Sequence, residues 1–249
     1  MDGKVLLVTG GSRGIGAAVA LRGAGEGYLV AVNYSANRAA ADSVVEQIVS
    51  TGGEAFAVAG DVGNEADVLA MFAAVEARWG RLDALVNNAG IVGHKARLED
   101  MDLARLDRVI RINVLGTLLC SREAVKRMST RHGGHGGSIV NLSSVAAVLG
   151  APSTYVDYAA SKGAVDSFTT GLAREVAAEG IRVNAVRPGI IDTEIHAASG
   201  MPDRVAETAA SIPMQRAGTA DEVASAILWL LSDAASYTTG ALLTVSGGR

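Results

Sequence analysis

The sequence has few of the residues that cross-link or stiffen a small protein. Its 249 residues include one cysteine and four prolines, and aromatic residues make up 4%. The lone cysteine, Cys120, excludes an intrachain disulfide, and its apolar helical surroundings predict a buried, unreactive thiol. The fold must therefore be stabilised by a hydrophobic core, which an apolar content of 49% can supply.

The chain also lacks an excess of positive charge and a long apolar run. Its 22 Lys and Arg against 26 Asp and Glu give a net charge of -4, which argues against nucleic acid or an anionic membrane as a partner. No apolar run has the length of a membrane span. The apolar segment Lys4–Thr9 is short and ends in a glycine turn, so it indicates a first strand rather than a signal peptide. A cytoplasmic location is expected.

Strand-like and helix-like segments alternate along the chain. This alternation predicts an α/β fold of Rossmann type: one doubly wound parallel sheet of about seven strands with helices on both faces. A single domain over residues 1–249 is expected, with residues 194–215 as a substrate lid that can hold a short helix. The predicted strands are Lys4–Thr9, Tyr28–Asn33, Glu54–Ala59, Ala84–Asn87, Ser138–Leu142, Arg182–Val186 and Leu242–Val245, and the predicted helices are Gly14–Glu26, Arg38–Ser50, Glu65–Trp79, Ala104–Arg131, Tyr158–Ala178 and Ala220–Leu231.

A glycine-rich turn connects the first strand to the first helix. Gly10 and Gly14 permit a tight turn and a close approach of the backbone to a pyrophosphate, and Gly16 permits close packing of helix on strand. The N-terminus of the following helix offers free N–H groups to phosphate oxygens. The turn therefore predicts a dinucleotide site, to which we assign Gly10, Ser12, Arg13, Gly14, Ile15 and Gly16.

The end of the second strand bears on the choice of cofactor. Enzymes that bind NAD usually carry a carboxylate there for the ribose 2′-hydroxyl, whereas this chain has Asn33. Arg13 and Arg38 add positive charge that suits a 2′-phosphate, although both can be ordinary surface residues. We therefore expect NADP(H) rather than NAD(H), contacted by Asn33, Tyr34, Ser35, Arg13 and Arg38.

Two further predicted strands end in short polar segments. Asp61 and Val62 follow the third strand, and Asn88, Ala89 and Gly90 follow the fourth. Ligands of doubly wound sheets bind at the carboxyl ends of the strands. These residues are therefore predicted to line the cofactor site, although alone they are also compatible with plain turns.

The pattern that points to catalysis lies in the second half of the chain. Tyr158 and Lys162 are four residues apart, so they share one face of a helix. An ammonium group near a phenol favours the phenolate and lowers the pKa of the tyrosine, which lets it exchange a proton with a substrate oxygen. Ser144, at the end of the fifth strand, can hold that oxygen, and Asn113 can support a water chain behind the lysine.

Taken together, these motifs resemble the short-chain dehydrogenase/reductase family over nearly the whole chain. Within that family the chain is most similar to glucose-dehydrogenase-like reductases and 3-oxoacyl-carrier-protein reductases. The matching segments are TGGSRGIG at 9–16, NNAG at 87–90, INVLG at 112–116, NLSS at 141–144, YAASK at 158–162 and RPGIIDT at 187–193.

The resemblance implies a catalytic set of Asn113, Ser144, Tyr158 and Lys162. It makes the tyrosine the acid/base, gives the lysine a second role on the nicotinamide ribose, and implies a homotetramer. The interval between Ser144 and Tyr158 is one residue longer than the commonest spacing, so Ser143 stays an alternative. Ser246 stands where many members carry Asp, which concerns C-terminal packing or assembly. The segment that would hold the nicotinamide amide is Pro188, Gly189, Ile191 and Thr193.

The substrate is left open by the sequence. A sugar, an oxoacyl thioester or a small ketone would each suit an oxidoreductase that transfers hydride between NADP(H) and a carbonyl or secondary alcohol. The alternative is a non-catalytic sensor or scaffold that binds the dinucleotide, since the fold alone does not separate the two. His132 and His135 lack further ligands for a metal, so no metal is expected. Tyr155 is predicted to be a pocket wall, and His94 and His196 are expected in loops at its mouth.

Overall fold

The computed structural model describes residues 3–195 and 199–249 and contains one seven-stranded sheet. All neighbouring strands are parallel, in the order β3-β2-β1-β4-β5-β6-β7. The strand order reverses between β1 and β4, and such a switch point opens a crevice at the carboxyl ends of the strands. The strands are β1 (Val5–Val8), β2 (Leu29–Tyr34), β3 (Ala55–Ala59), β4 (Ala84–Asn87), β5 (Gly137–Leu142), β6 (Ile181–Pro188) and β7 (Leu242–Val245).

Helices cover both faces of this sheet, as predicted. The helices are α1 (Gly14–Gly25), α2 (Arg38–Ser50), α3 (Glu65–Trp79), α4 (Leu103–Ile110), α5 (Gly116–Met128), α6 (Ala146–Leu149), α7 (Val156–Val176), α8 (Arg204–Ala209) and α9 (Ala220–Leu231). Among the residues described, no helix combines the length and apolarity that crossing a membrane requires.

The core consists of two layers because successive side chains of a strand point to opposite faces. Leu6 and Val8 of β1 belong to the layer beneath α1, α2 and α9. Val5 and Leu7 belong to the layer beneath α3, α5 and α7. Burial on both faces explains why these strands are almost continuously apolar. Cys120 is fully buried in the second layer, where burial raises the pKa of its thiol to about 12, in keeping with the unreactive thiol predicted.

The prediction of one continuous helix over 104–131 is wrong at residues 111–115. The chain forms α4, then a wider π-helical turn over Arg111–Leu115, and then α5. A π-turn inserts one extra residue into a helix and often marks a functional site. Here Asn113 lies in the turn, 1% exposed, and its amide bonds to a neighbouring loop and to α7. These inward bonds compensate for the interrupted helical ladder.

Two other boundaries matter for the site. Helix α7 begins at Val156, two residues earlier than predicted, and this places Asp157 in the favourable first turn of the helix. The segment 194–215, the expected lid, contains α8, and Ile212 near its end is buried. His196, which was expected at the mouth of the pocket, lies outside the described residues.

Candidate active site

A large cleft of about 900 Å³ opens at the carboxyl ends of the strands. The glycine turn after β1 and the ends of β2 and β4 form one half. The other half is formed by the end of β5, the first turns of α7, the segment after β6 and part of the expected lid. The cleft therefore spans the switch point, where α/β sheets bind their ligands.

The glycine turn has the backbone that its sequence predicts. Gly10 and Gly14 have φ of +59° and +53°, a region that favours glycine. A Cβ at Gly16 would lie 2.3 Å from the carbonyl oxygen of Gly10, so no larger residue fits where α1 packs on the turn. Arg13 is the N-cap of α1 and makes no side-chain capping bond. The first amides of α1 therefore face the cleft without a side-chain cap, which suits a pyrophosphate.

Asn33 corrects one expectation about the cofactor. Its side chain is 1% exposed and is used entirely within the protein. Oδ1 accepts a hydrogen bond from the backbone N–H of Gly10 at 3.1 Å, and Nδ2 donates to the carbonyl oxygens of Gly60 at 3.0 Å and Val58 at 3.3 Å. Asn33 therefore shapes the glycine turn and its amide is not free to bind a phosphate.

Asn88 supports the same turn from the other side. Its Nδ2 donates to the carbonyl oxygens of Thr9 at 3.0 Å and Gly10 at 2.9 Å. The hydroxyl of Thr9 accepts from the backbone N–H groups of Asn88 and Ala89. Asn33, near the end of β2, and Asn88, directly after β4, thus hold the glycine turn from two sides.

The two expected cations differ in position. Arg13 is exposed and lines the cleft, as do Tyr34 and Ser35. Arg38 pairs with Asp42 at 3.3 Å on the exposed side of α2 and does not line the cleft. Only Arg13 is therefore placed at the cleft as the sequence predicts, because the first turn of α2 carries Arg38 onto the helix surface.

Tyr158, Ser144 and Lys162 meet at the wall of the cleft. The side chain of Ser144 lies beside the phenol of Tyr158 and lowers its pKa, while Oγ of Ser144 accepts from the backbone N–H of Ala146 at 3.1 Å. Lys162 lies one helical turn further on, with Nζ 5.5 Å from the Tyr158 ring centroid and 2.6 Å from the carbonyl oxygen of Leu142. Ser143 instead donates to the carbonyl oxygen of Lys162 at 3.2 Å. Of the two serines, Ser144 is the one that faces the phenol.

The pKa values differ from the expectation that Lys162 lowers the pKa of Tyr158. Packing of the cleft walls around the phenol withholds water from it and raises the pKa of Tyr158 to about 12, and the nearby Ser144 side chain offsets this only in part. Burial also lowers the pKa of Lys162 to about 8, against a smaller opposing effect of Asp166. Desolvation dominates both groups because each charged form loses hydration.

Asn113 lies behind the cleft wall. Its Oδ1 accepts from the N–H of Ile91 at 2.8 Å, and its Nδ2 donates to the carbonyl oxygen of Ile91 at 2.9 Å and to the hydroxyl of Ser161 at 3.0 Å. Ser161 lies between Tyr158 and Lys162 in sequence, beside the latter. Asn113 therefore ties the loop after β4 to α7, rather than facing the cleft directly.

Most residues predicted for the site come together in this cleft. Gly16, Arg38 and Asn113 do not line it, for the reasons given above. The predicted residues that do are Gly10, Ser12, Arg13, Gly14, Ile15, Asn33, Tyr34, Ser35, Asp61, Val62, Asn88, Ala89, Gly90, Ser144, Tyr158, Lys162, Pro188, Gly189, Ile191 and Thr193.

One aromatic residue, Tyr155, and one charged residue, Arg204, complete the wall of the cleft. Tyr155 lines the cleft with its ring centroid 5.7 Å from that of Tyr158, at an interplanar angle of 89°. Arg204 of α8 also lines it, with Cζ 5.2 Å from the Tyr155 ring centroid. Sequence reasoning missed Arg204, because its segment has no periodicity that distinguishes one arginine from its neighbours.

Comparison with known proteins covers the whole of this architecture. A family model described as enoyl-(acyl carrier protein) reductase matches residues 10–249. The oxidoreductase YgfF of Escherichia coli, itself uncharacterised, is 56% identical over 98% of this chain and 99% of its own length. Glucose 1-dehydrogenase 2 of Bacillus subtilis is 39% identical over 100% and 95%. The 3-oxoacyl-[acyl-carrier-protein] reductase FabG of Staphylococcus aureus is 40% identical over 98% and 97%.

Solved structures give the same result. A short-chain type dehydrogenase/reductase from Mycobacterium marinum superposes with a TM-score of 0.92 at 36% identity, covering 99% of this chain and 95% of that one. A short-chain dehydrogenase/reductase variant from Serratia marcescens gives 0.90 at 34%, covering 99% and 97%. The motifs, the strand order and these relatives agree, and this chain belongs to the short-chain dehydrogenase/reductase family of oxidoreductases, which bind a nicotinamide dinucleotide.

Proposed function

We propose that the protein transfers hydride between NADP(H) and a carbonyl or secondary alcohol carbon, with Tyr158 as the acid/base. The observation that carries this proposal is the meeting of Ser144, Tyr158 and Lys162 at the wall of the cleft. No observation on the described residues favours the non-catalytic sensor.

Tyr158 and Ser144 would act on the substrate oxygen. In the direction of reduction, the bound nicotinamide supplies a hydride to the carbonyl carbon. Tyr158 donates its phenolic proton to the carbonyl oxygen, while the Ser144 hydroxyl holds that oxygen in place. A pKa of about 12 keeps the phenol protonated at neutral pH, which suits a proton donor. In the direction of oxidation the same phenol must lose its proton.

Lys162 and Asn113 would support that proton transfer. Lys162 lies on the face of α7 that carries Tyr158, and its positive charge near the phenol would favour the phenolate. We also assign it the nicotinamide ribose. Asn113 anchors the loop after β4 to α7 through Ile91 and Ser161, and it would order the water chain that returns a proton to Lys162.

The preference for NADP(H) over NAD(H) rests on charge at the end of β2. Tyr34 and Ser35 line the cleft there, and the strand ends without a carboxylate. Arg13, the N-cap of α1, brings a guanidinium to the cleft, and a guanidinium binds phosphate oxygens well. Arg38 pairs with Asp42 outside the cleft, and the amide of Asn33 bonds within the protein, so the preference depends less on these two residues than the sequence indicated.

The substrate is a small molecule with a carbonyl or secondary alcohol group. Relatives at 39–40% identity are named a glucose dehydrogenase and a 3-oxoacyl-[acyl-carrier-protein] reductase, so sugars, oxoacyl thioesters and small ketones are the classes to examine.

We further propose that the segment 194–215 acts as the lid of a single catalytic domain. Its far end is fixed, since the N–H of Met214 bonds to the carbonyl oxygen of Gly247 at 3.1 Å.

We also propose a homotetramer. Leu103, Ile110 and Leu115, on α4 and the π-turn, are exposed large apolar residues, as are Trp229 and Tyr237 near the C-terminus. Apolar surfaces of this kind often bind a second copy of the chain. Light scattering coupled to size-exclusion chromatography measures the mass directly.

The experiment that tests the proposed activity is a substrate panel read by the absorbance of the reduced cofactor. Sugars, acetoacetyl thioesters, diketones and secondary alcohols are each incubated with the protein and with NADPH, NADP⁺, NADH or NAD⁺. Turnover of at least one class is expected. Tight binding of the cofactor without turnover of any class would favour the sensor instead.

A further inference from the structure

Arg204 has an unusual position for a charged residue. It lies at the first residue of α8 and lines the cleft, with its guanidinium 5.2 Å from the Tyr155 ring centroid. Its Nη1 is 3.3 Å from the sulfur of Met201. Its Nε is buried and has no hydrogen-bond partner. A buried guanidinium nitrogen without a partner is rare, because losing the hydration of a charged donor is costly.

The contrast with other half-buried arginines is clear. Arg105 and Arg187 each donate two hydrogen bonds to a carboxylate, Asp157 and Asp166 respectively. Within residues 3–195 and 199–249, no carboxylate lies within 4.0 Å of a nitrogen of Arg204, and residues 196–198 are His, Ala and Ala. The protein therefore brings a cation into its cleft and leaves it without a counter-ion.

Arg204 shares a neighbouring ring with the reacting tyrosine, and it is not a nearest neighbour of the predicted phosphate site. The Tyr155 ring is a neighbour of both, with its centroid 5.2 Å from Cζ of Arg204 and 5.7 Å from the ring centroid of Tyr158. At the predicted phosphate site, the atoms nearest to a Cβ placed on Gly14 belong to Thr193 at 3.4 Å and Glu194 at 3.7 Å, and not to Arg204. An anion on Arg204 would thus lie in the same cleft as the reacting phenol, with the Tyr155 ring next to both.

We propose that Arg204 binds a carboxylate on the substrate, so that the substrate is an oxo acid or hydroxy acid with its reacting carbon a few bonds from the acid group. This inference rests on the function proposed above and narrows its substrate class. In the reduction, the carbonyl carbon gains the hydride, the carbonyl oxygen gains the proton of Tyr158, and the carboxylate is unchanged. A guanidinium suits this role because its parallel N–H groups match the two oxygens of a carboxylate.

The test compares oxo acids with their uncharged methyl esters. Acetoacetate, 4-oxopentanoate and 5-oxohexanoate vary the distance between carbonyl and acid, and each is measured with both reduced cofactors. For at least one chain length, we expect kcat/KM of the acid to exceed that of the ester by tenfold or more. Arg204→Gln should bring that ratio close to one, mainly through KM, and Arg204→Lys should keep part of it.

Two controls make the result specific. Arg216→Gln removes an exposed arginine that pairs with Glu222, and it should leave the acid-to-ester ratio unchanged. Titration of the same acids into the complex with NADP⁺ measures binding without turnover. If the acids bind, and Arg204→Gln abolishes that binding while no carbonyl is reduced, the anion site stands and the proposed activity fails.

Three results would overturn the inference itself. The first is equal kcat/KM for acid and ester in the wild type at every chain length. The second is a wild type that neither binds nor reduces the acids. The third is an Arg204→Gln variant whose loss appears in the Kd of the cofactor instead of in the acid-to-ester ratio, because the guanidinium would then serve the cofactor.

Discussion

Asp157, the residue before Tyr158, is held by Arg105 through two hydrogen bonds. Nε of the arginine lies 2.8 Å from Oδ2 and Nη2 lies 3.2 Å from Oδ1. The aspartate side chain is 1% exposed and that of Arg105 is 17% exposed. Arg105 also donates to the carbonyl oxygen of His94 at 2.6 Å. One buried ion pair thus joins α4, the loop after β4 and the first turn of α7, directly beside the phenol.

This ion pair predicts a large loss of stability when one partner is removed. Asp157→Asn leaves the guanidinium of Arg105 buried without its counter-ion, which should cost about 3–5 kcal/mol of unfolding free energy. Urea unfolding followed by circular dichroism measures the change. As a control, Glu99→Gln breaks the exposed pair with Arg97 and should cost less than about 1 kcal/mol. Equal losses in both variants would contradict the assignment.

The two tyrosines of the cleft predict different kinetic effects. Tyr158→Phe removes the phenolic hydroxyl beside Ser144, so turnover should fall by about 100-fold or more while cofactor binding changes little. Tyr155→Phe keeps the ring against which Tyr158 packs and should alter KM more than kcat. Steady-state kinetics and cofactor titration on both variants check this. Full activity in Tyr158→Phe, or loss of activity in Tyr155→Phe alone, would mean that the wrong phenol has been chosen.

The sheet and most of the helices could be predicted because periodicity and glycine turns are local signals. The π-turn at Arg111–Leu115 could not, since its cause is tertiary. Asn113 bonds to Ile91 and Ser161, which are 22 and 48 residues away. A helical pattern of apolar residues continues through such a turn, so the sequence indicates one uninterrupted helix.

The site could be predicted only as far as residue type and strand ends determine it. Strand ends place Ser144, Asn88 and Gly10 in the cleft. The direction of a side chain is a different matter: Asn33 is at the expected strand end, yet its amide bonds to Gly10 and Gly60. The pKa of Tyr158 depends likewise on how the walls close around it, which a spacing of four residues does not reveal.

The lowered pKa of Lys162 predicts a pH-dependent contribution to stability. The folded pKa is about 8 against an ordinary 10.5. Between these values the unfolded chain binds the proton and the folded chain does not, so the unfolding free energy rises with pH. The difference between these two pKa values corresponds to roughly 3 kcal/mol of unfolding free energy. The destabilisation caused by burying the charged ammonium is complete below about pH 8 and is relieved as the pH rises.

Comparison with Lys162→Met isolates this effect. The wild type should gain unfolding free energy relative to the variant from about pH 8 to pH 10, as measured by urea unfolding at several pH values. Measurements stop at pH 10 because above it the raised pKa of Tyr158 acts in the opposite sense. Lys95→Met, at an exposed position, should leave the wild-type slope unchanged. A flat difference between wild type and Lys162→Met would contradict the burial of the ammonium.

Asn33→Asp should destabilise the protein instead of switching its cofactor. The substitution replaces Nδ2, which donates to Gly60 and Val58, with an oxygen that faces carbonyl oxygens. An unpaired buried group costs about 1–3 kcal/mol, and more if charged. Thermal unfolding checks the loss. Asn37→Asp is the matched control, because that side chain is exposed and accepts from the N–H of Ala40, a role that Asp fills equally well.

The choice between NADPH and NADH should depend on Arg13 and Ser35. A charge-assisted hydrogen bond from Arg13 to the 2′-phosphate would contribute about 1.5–3 kcal/mol, and each 1.4 kcal/mol is tenfold in affinity. Arg13→Ala should therefore weaken NADPH by about tenfold or more and leave NADH almost unchanged. Ser35→Asp adds a carboxylate at the exposed end of β2, which should repel the phosphate and accept from the ribose hydroxyl of NADH.

Titration of both cofactors at one ionic strength tests this prediction, since salt screens exposed charges. Arg38→Ala provides the internal comparison. Its guanidinium is 77% exposed and paired with Asp42 outside the cleft, so its loss should weaken NADPH less than the loss of Arg13 does. If Arg38→Ala has the larger effect, the arginine must leave Asp42 when the cofactor binds. If the wild type prefers NADH, Arg13 faces solvent in the complex and the proposed preference for NADP(H) is wrong.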